Sequence, residues 1–262
     1  MLAALLARQP TERVALVVAH PDDETIAAGG SLHLMPGLLL VHVTDGAPRG
    51  LDDAAAAGFP TPEAYGAGRQ AELEAALALC GEPPHRVALG IVDQDASLDI
   101  PGIARRLAGL FRRHRVRAVL THAYEGGHPD HDATALAVHL AVHGAAQGRA
   151  VFEFAGYHAG PEGALVTGRF LKHSPAGGGE VAIALPPADA ARKRAMLACF
   201  RTQAAMLRHF GAEQERFRAA PHYDFSKPPH PGRLNYEHWG WSMTGERWRG
   251  LAAAAWDARC AA

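Results

Sequence analysis

"VALVVAHPDDETIAAGG", residues 14–30, governs how the rest of the chain is read. Val14 to Ala19 is a continuous apolar run rich in β-branched residues, the pattern of a strand buried on both faces. Pro21 disfavours the helical region for His20 and suits the first turn of a helix. Asp22, Asp23 and Glu24 complement the positive end of a helix dipole, at about 0.3–1 kcal/mol each. A strand, a tight turn and an acidic helix start therefore account for most of the stretch. They leave His20 without a role.

On either side of this stretch, apolar runs and helix-period segments alternate. Strands are predicted at 14–19, 38–43, 87–91, 116–121 and 151–155, with helices at 23–34, 62–80, 100–115 and 131–147. The second helix starts at Thr61 as cap with Pro62 in its first turn, and stops at Gly81. Such alternation predicts an α/β fold: a doubly wound, Rossmann-like, mostly parallel sheet with helices on both faces. The chain is read as a single domain, 1–262, with a core at 12–155 and a C-terminal elaboration at 156–262. That elaboration reads as a hairpin turning at Gly177–Gly179 with its second strand at Val181 to Leu185, then a helix at 187–210. An aromatic strap carrying Tyr223, Phe225, Tyr236, Trp239 and Trp241 follows, and a last helix at 244–257.

Bulk properties remove several function classes. The net charge of −1 lacks the broad basic field of a nucleic-acid binder. Cys80, Cys199 and Cys260 are odd in number, with no CxxC pair, so neither a disulfide framework nor a cysteine zinc site is expected; a reducing cytoplasm fits. The opening "MLAALLARQP" lacks the basic start of a secretory signal, and no apolar stretch reaches the roughly 18 residues of a membrane span. Sixteen histidines, by contrast, justify a search for a metal site.

The search ends at "VRAVLTHAYEGGHPDHDATALAVHL", residues 116–140, where a second strand empties into a histidine-proline-aspartate turn and a helix. His128 and His131 are three apart, as are His20 and Asp23, so each pair shares one face of a helical turn. With the common strand order 3-2-1-4-5, strands 1 and 4 would be neighbours where the winding reverses, and the two clusters would face each other there. Mixed histidine and carboxylate donors suit zinc, with iron or cobalt possible. Four ligands, His20, Asp23, His128 and His131, would make a closed structural site, whereas three would leave a position for water. Spacing does not choose between them.

"AHPDDE" followed by "GGHPDHDAT" resembles the PIG-L/LmbE-like family of zinc-dependent deacetylases, whose substrates are N-acetylglucosaminyl conjugates and related amides. The resemblance implies that His20, Asp23 and His131 hold the metal and that Asp22 is the general base. It makes His128 the group that steadies the oxyanion and protonates the leaving amine, with Asp130 orienting a histidine. It implies that Arg69 reaches a sugar or phosphate oxygen and that Asp93 accepts bonds from sugar hydroxyls. Thr44 and Asp45 of "TDG", with Tyr124 and Glu125, are read as walls of the substrate cleft. A tyrosine that some relatives carry just before HPDH is replaced here by Gly126 and Gly127. The expected partner is a small amino sugar or glycoconjugate. Rival readings are an amidase for another small N-acyl or thiol conjugate, and a non-catalytic sugar-binding module with a structural metal.

Overall fold

Alternate residues of the strand Val14–Val18 (β1) enter different cores, because strand side chains point to opposite faces. Ala15 and Val17 join one buried cluster, and Val14, Leu16 and Val18 the other. A sheet with two apolar faces must be covered twice, which is the reason for a layered α/β arrangement. The computed structural model describes residues 1–11, 13–143, 148–171 and 179–258.

The remaining strands are β2 (Leu39–Pro48), β3 (His85–Asp93), β4 (Ala118–His122), β5 (Ala150–Phe154), β6 (Tyr157–Ala159), β7 (Leu165–Thr167), β8 (Val181–Ala184) and β9 (Gln214–Ala219). The main helices are α1 (Leu2–Leu6), α2 (Asp23–Ala28), α3 (Asp52–Ala56), α4 (Pro62–Leu77), α5 (Ile100–Arg113), α6 (Pro129–His143), α7 (Pro187–Leu197), α8 (Ala204–Leu207), α9 (Asn235–His238) and α10 (Gly245–Ala258). The large sheet has the order β3-β2-β1-β4-β5-β9-β8. Its first five strands are parallel, while β9 and β8 run antiparallel at the far edge. The mostly parallel sheet and its winding agree with the sequence reading. Helices α5, α6 and α10 cover one face, through residues such as Ile103, Leu136 and Trp248; α2, α4 and α7 cover the other, through Ile26, Leu73 and Met196.

Local signals set several of these elements. In α5, Ile100, Ile103, Ala104, Leu107 and Phe111 recur at helical spacing and are all buried. Asp99 caps that helix by accepting the Gly102 N–H at 3.0 Å, and Thr61 caps α4 by accepting the Ala64 N–H at 3.2 Å.

Four expectations need correction. The helix predicted at 23–34 stops at Ala28, because Gly30 packs where a Cβ would lie 2.3 Å from Leu185, and its N–H is taken by Glu215 at 2.8 Å. The helix predicted at 187–210 breaks after Leu197, where Phe200 turns into the core and Thr202 gives both its N–H and its hydroxyl to Glu72. The strand predicted at 38–43 runs on to Pro48 as β2, so "TDG" continues the strand. The second hairpin strand is present as β8, but among the described residues its partner is β9, which the sequence reading missed. The turn at Gly177–Gly179 and the end of the helix predicted at 131–147 fall largely outside the described residues.

Candidate metal centre and catalytic site

Strands β1 and β4 are adjacent and parallel, with Val14 opposite Ala118 and Leu16 opposite Leu120. Both histidine-proline-aspartate turns therefore open from the same carboxyl edge at the reversal of winding. The loop before α6 is shaped by Asp132, whose carboxylate accepts the N–H groups of Gly126 at 3.1 Å and Glu125 at 3.3 Å. Asn235 in the strap holds the same loop, donating to the Gly126 carbonyl at 2.9 Å and the Gly127 carbonyl at 3.1 Å.

Three residues converge between the turns. His20 Nδ1 is 3.2 Å from His131 Nε2 and 3.3 Å from Asp23 Oδ2, and His131 Nε2 is 3.4 Å from Asp23 Oδ1. Ligands about 2.0–2.1 Å from a tetrahedral zinc ion stand about 3.3 Å apart, close to these separations, with Asp23 turning one oxygen to each histidine. His20 turns its other nitrogen, Nε2, to Asp93 at 3.1 Å and Asp130 at 3.4 Å. A carboxylate on the far nitrogen of a ligating histidine fixes the tautomer and leaves the near lone pair free. All three donors are buried, as are Asp22, Asp93 and Asp130, and the guanidinium of Arg69 offsets one of these carboxylates. The surplus of negative charge suits a divalent cation. His128 is not part of this three-residue set; it belongs to an overlapping group with His20, Asp93 and Asp130.

Asp22 stands beside the triangle with φ at 126°, a backbone conformation that costs about 1–3 kcal/mol for a residue other than glycine. Its N–H donates to Glu24 at 3.0 Å. Arg69 clamps the turn from α4, donating to the Pro21 and Gly46 carbonyls at 2.6 Å each and to Asp22 Oδ2 at 2.8 Å. Arg69 is therefore buried and bonded to these protein groups while also lining the cavity described below. Glu24 is a buried hub that also binds Thr25 and His42, beyond any interaction with a helix dipole.

The electrostatics follow the geometry. Burial pushes the Asp22 carboxyl well above its ordinary range, with Arg69 pulling the other way. Burial would raise Asp23 too, but His131 and His122 hold it well below the usual value. Burial lowers His131 to about 3 and takes His128 well below the histidine value, with His20 adding to the latter. Asp130 is pushed up to about 6 by burial. His128 accepts the Asp130 N–H at its Nδ1, 3.1 Å away, so the neutral ring carries its proton on Nε2.

A cavity of about 960 Å³ opens onto this site. His20, Asp22, Asp23, Arg69, Asp93, His128 and His131 all line it. Thr44, Asp45, Tyr124 and Glu125 do not, and their side chains serve the scaffold. Thr44 donates its hydroxyl to the Ala19 carbonyl, and Asp45 accepts the N–H groups of Ala47 and Asp93. Tyr124 bonds the Lys227 carbonyl and stacks on Trp248, while Glu125 accepts the Leu171 N–H and faces Arg218.

Sequence reasoning missed His122 and Tyr157. His122 ends β4, accepts the Ala19 N–H at 2.9 Å and stacks on His131 at 3.9 Å between ring centroids. A histidine inside an otherwise apolar buried strand was its only signal. Tyr157 of β6 reaches the cavity, its ring centroid 5.1 Å from that of His131, whereas glycines occupy the two positions just before the HPDH turn. Trp239 and Trp241 of the strap form part of the wall, and Trp241 meets His128 edge-on at 4.8 Å.

The HPDH loop also tolerates no added bulk. A Cβ on Gly127 would lie 2.0 Å from the backbone carbonyl of Tyr157, which cannot swing aside. Gly127→Ala should cost about 1–3 kcal/mol or more, seen as a fall in thermal midpoint of about 2–4 °C per kcal/mol. An unchanged midpoint would mean that this backbone contact is loose.

Residues 15–142 match the family described as PIG-L: GlcNAc-PI de-N-acetylase. No curated protein matches at the sequence level. Among solved structures, the chain is similar to teicoplanin deacetylase Orf2 in a zinc-inhibited form, at 16% identity and a TM-score of 0.60, covering 82% of this chain and 100% of that one. It is similar to the N,N'-diacetylchitobiose deacetylase of Pyrococcus horikoshii, at 17% identity and a TM-score of 0.55, covering 80% and 84%. It is also similar to GalB, the 4-carboxy-2-hydroxymuconate hydratase of Pseudomonas putida, at 18% identity and a TM-score of 0.55, covering 81% and 98%. These likenesses show the fold, and the hydratase shows that this fold is not confined to deacetylases. Among the described residues no helix is long and apolar enough to cross a membrane. With the paired turns, the sheet order and the sequence match in agreement, residues 15–142 form a domain of the PIG-L, GlcNAc-PI de-N-acetylase, family.

Proposed function

We propose that this chain is a metal-dependent hydrolase that removes the N-acetyl group of an amino sugar or N-acetylglucosaminyl conjugate. The observation that carries the reading is the His20–Asp23–His131 cluster, with the two histidine nitrogens 3.2 Å apart, each within 3.3–3.4 Å of an Asp23 oxygen, and Asp22 beside it in one cavity. Those three residues would hold the ion, zinc by their chemistry, with iron or cobalt the alternatives. When bound, such an ion supplies Lewis acidity, polarising an amide carbonyl and acidifying water.

The chain's own groups divide the remaining work. Asp22 has Oδ2 committed to Arg69, so Oδ1 is the oxygen that takes the proton of the attacking water. As charge grows on the acetyl oxygen, neutral His128 steadies it by donating a hydrogen bond from its Nε2–H. The proton held on Asp22 then passes to the amide nitrogen as the carbon–nitrogen bond breaks, giving acetate and a free amine. Asp93 and Asp130 keep His20 oriented by holding its Nε2. The family match and the likeness to two deacetylases support this reading over the hydratase.

The test is acetate release from a panel of N-acetylglucosaminyl conjugates. Chelator treatment should abolish release and added zinc should restore it, and His131→Ala should lose both metal content and activity. Acetate release that survives metal removal and His131→Ala would overturn the proposal. Metal binding with no turnover of any N-acyl substrate would favour the non-catalytic module.

A further inference from the structure

Five rings that line the catalytic cavity follow one another in a closed circuit. Their centroids are 4.8 Å apart for His128–Trp241, 5.1 Å for Trp241–Trp239 and 6.0 Å for Trp239–Tyr157. Tyr157–His131 and His131–His128, at 5.1 Å each, complete it. The chemistry assigned above uses the two histidines and leaves both indoles without a task. Other aromatics of this region are plainly structural: Phe225 and Tyr236 are buried, and Trp248 is buried with its Nε1–H on the Pro129 carbonyl at 3.1 Å. Trp239 is instead 42% exposed and Trp241 half-buried. Among the described residues neither gives its indole N–H to a protein group. Two neighbouring indoles open to a cavity are an apolar patch of the kind that marks a binding groove.

The backbone holds them in place. Helix α9 ends in a Schellman motif, in which the Trp241 N–H donates to the Tyr236 carbonyl and the Gly240 N–H to the Glu237 carbonyl, each at 3.2 Å. Gly240 takes φ 76°, and a Cβ there would meet nothing within 4 Å, so the glycine serves the backbone turn that returns Trp241 against Trp239. At the other end of α9, Asn235 donates to the Gly126 carbonyl at 2.9 Å and the Gly127 carbonyl at 3.1 Å. One short helix is thus pinned at its start to the loop that carries His128 and presents both indoles at its end.

The reaction geometry says what covers them. His128 steadies the acetyl oxygen, and the carbon that bears the amine lies about 2.5 Å from the acyl carbon across the amide nitrogen. The ring containing that carbon must therefore sit beside His128, where Trp241 forms the cavity wall. We propose that Trp239 and Trp241 are the platform for the pyranose ring that carries the acetamido group, an inference that rests on the deacetylase reading. The C–H face of the sugar stacks on the indoles, and their free N–H groups are available to its hydroxyls. Both residues lie beyond the family domain at 15–142, so this subsite belongs to the C-terminal elaboration. It governs which ring is accepted and leaves the bond-breaking step to the metal centre.

The experiment compares two probes, methyl N-acetyl-β-glucosaminide and the acyclic N-acetylethanolamine. Their binding is measured by ligand-observed NMR on the full chain carrying Asp22→Asn, so that neither is consumed. The wild-type platform should prefer the ring. Trp239→Leu keeps apolar bulk but loses the flat face, and should cut that preference, as a ratio of Kd values, by about fivefold or more. Trp239→Phe should restore most of it, and Trp241→Leu should act in the same direction. With Asp22 intact, Trp239→Leu should raise KM for the glucosaminide by about fivefold or more and change kcat by less than about twofold. A lost ring preference in a chain that releases no acetate would sink the deacetylase reading and keep the platform. Acetate release with KM and ring preference unmoved in both leucine variants would sink the platform and keep the reaction. A parent chain with no preference for the ring, or leucine variants that weaken both probes equally, would also overturn it and leave the indoles as support for His128.

Discussion

Asp22→Asn should lower kcat for N-deacetylation by about 10²–10⁴-fold while leaving bound metal at the wild-type level. The substitution is isosteric and keeps an oxygen for Arg69, so the turn with φ at 126° retains its clamp. What it removes is the basic oxygen that takes up the proton of water. KM should move little, because the carboxylate acts on charge that develops after binding. Metal analysis and a thermal melt alongside the kinetics separate lost chemistry from lost structure. A variant with full metal and wild-type kcat would show that Asp22 is not the base, and the catalytic assignment of the whole turn would have to move to another group.

Arg69→Met should have the largest effect on the fold and a distinct signature in the pH profile. It strips the donors from the Pro21 and Gly46 carbonyls and leaves the Asp22 carboxylate buried without its partner. Breaking a buried ion pair in this way costs about 3–5 kcal/mol. The sign of the pH effect follows from the charges. Burial already raises Asp22 and Arg69 opposes it, so removing the guanidinium raises Asp22 further. A base works only when deprotonated, so the acidic limb of the rate profile should move to higher pH in Arg69→Met. Arg69→Lys keeps the positive charge but cannot present the same fork of donors. It should therefore keep the limb near its wild-type position while still losing stability. An unshifted limb in Arg69→Met would mean that Asp22 does not set it.

Arg69 also shows where sequence reasoning reached its limit. Its place on α4 was legible, because Thr61 and Pro62 announce the helix. Its burial was not, because that depends on Pro21 and Gly46 arriving from two other segments. The same division runs through the site. His20 and Asp23, and His128 and His131, advertise themselves as pairs because three residues make nearly one helical turn. Asp93 and His122 do not, since one ends β3 and the other ends β4, and they meet His20 and His131 only once the sheet is built. Thr44, Asp45, Tyr124 and Glu125 lie next to the right edge in sequence, yet their side chains turn to neighbouring backbone and to the strap.

By itself, then, the sequence determined the alternating α/β layers, the helix cap at Thr61, and the two turns that carry the donors. Those are short-range properties: strand alternation, helical period and a capping side chain act within a few residues of themselves. Only the tertiary structure decided that β9 and β8 extend the sheet, that Arg69 belongs to Asp22, and that Tyr157, Trp239 and Trp241 wall the cavity. Each of these joins segments far apart along the chain, and no local spacing encodes a contact that exists only after the layers have packed.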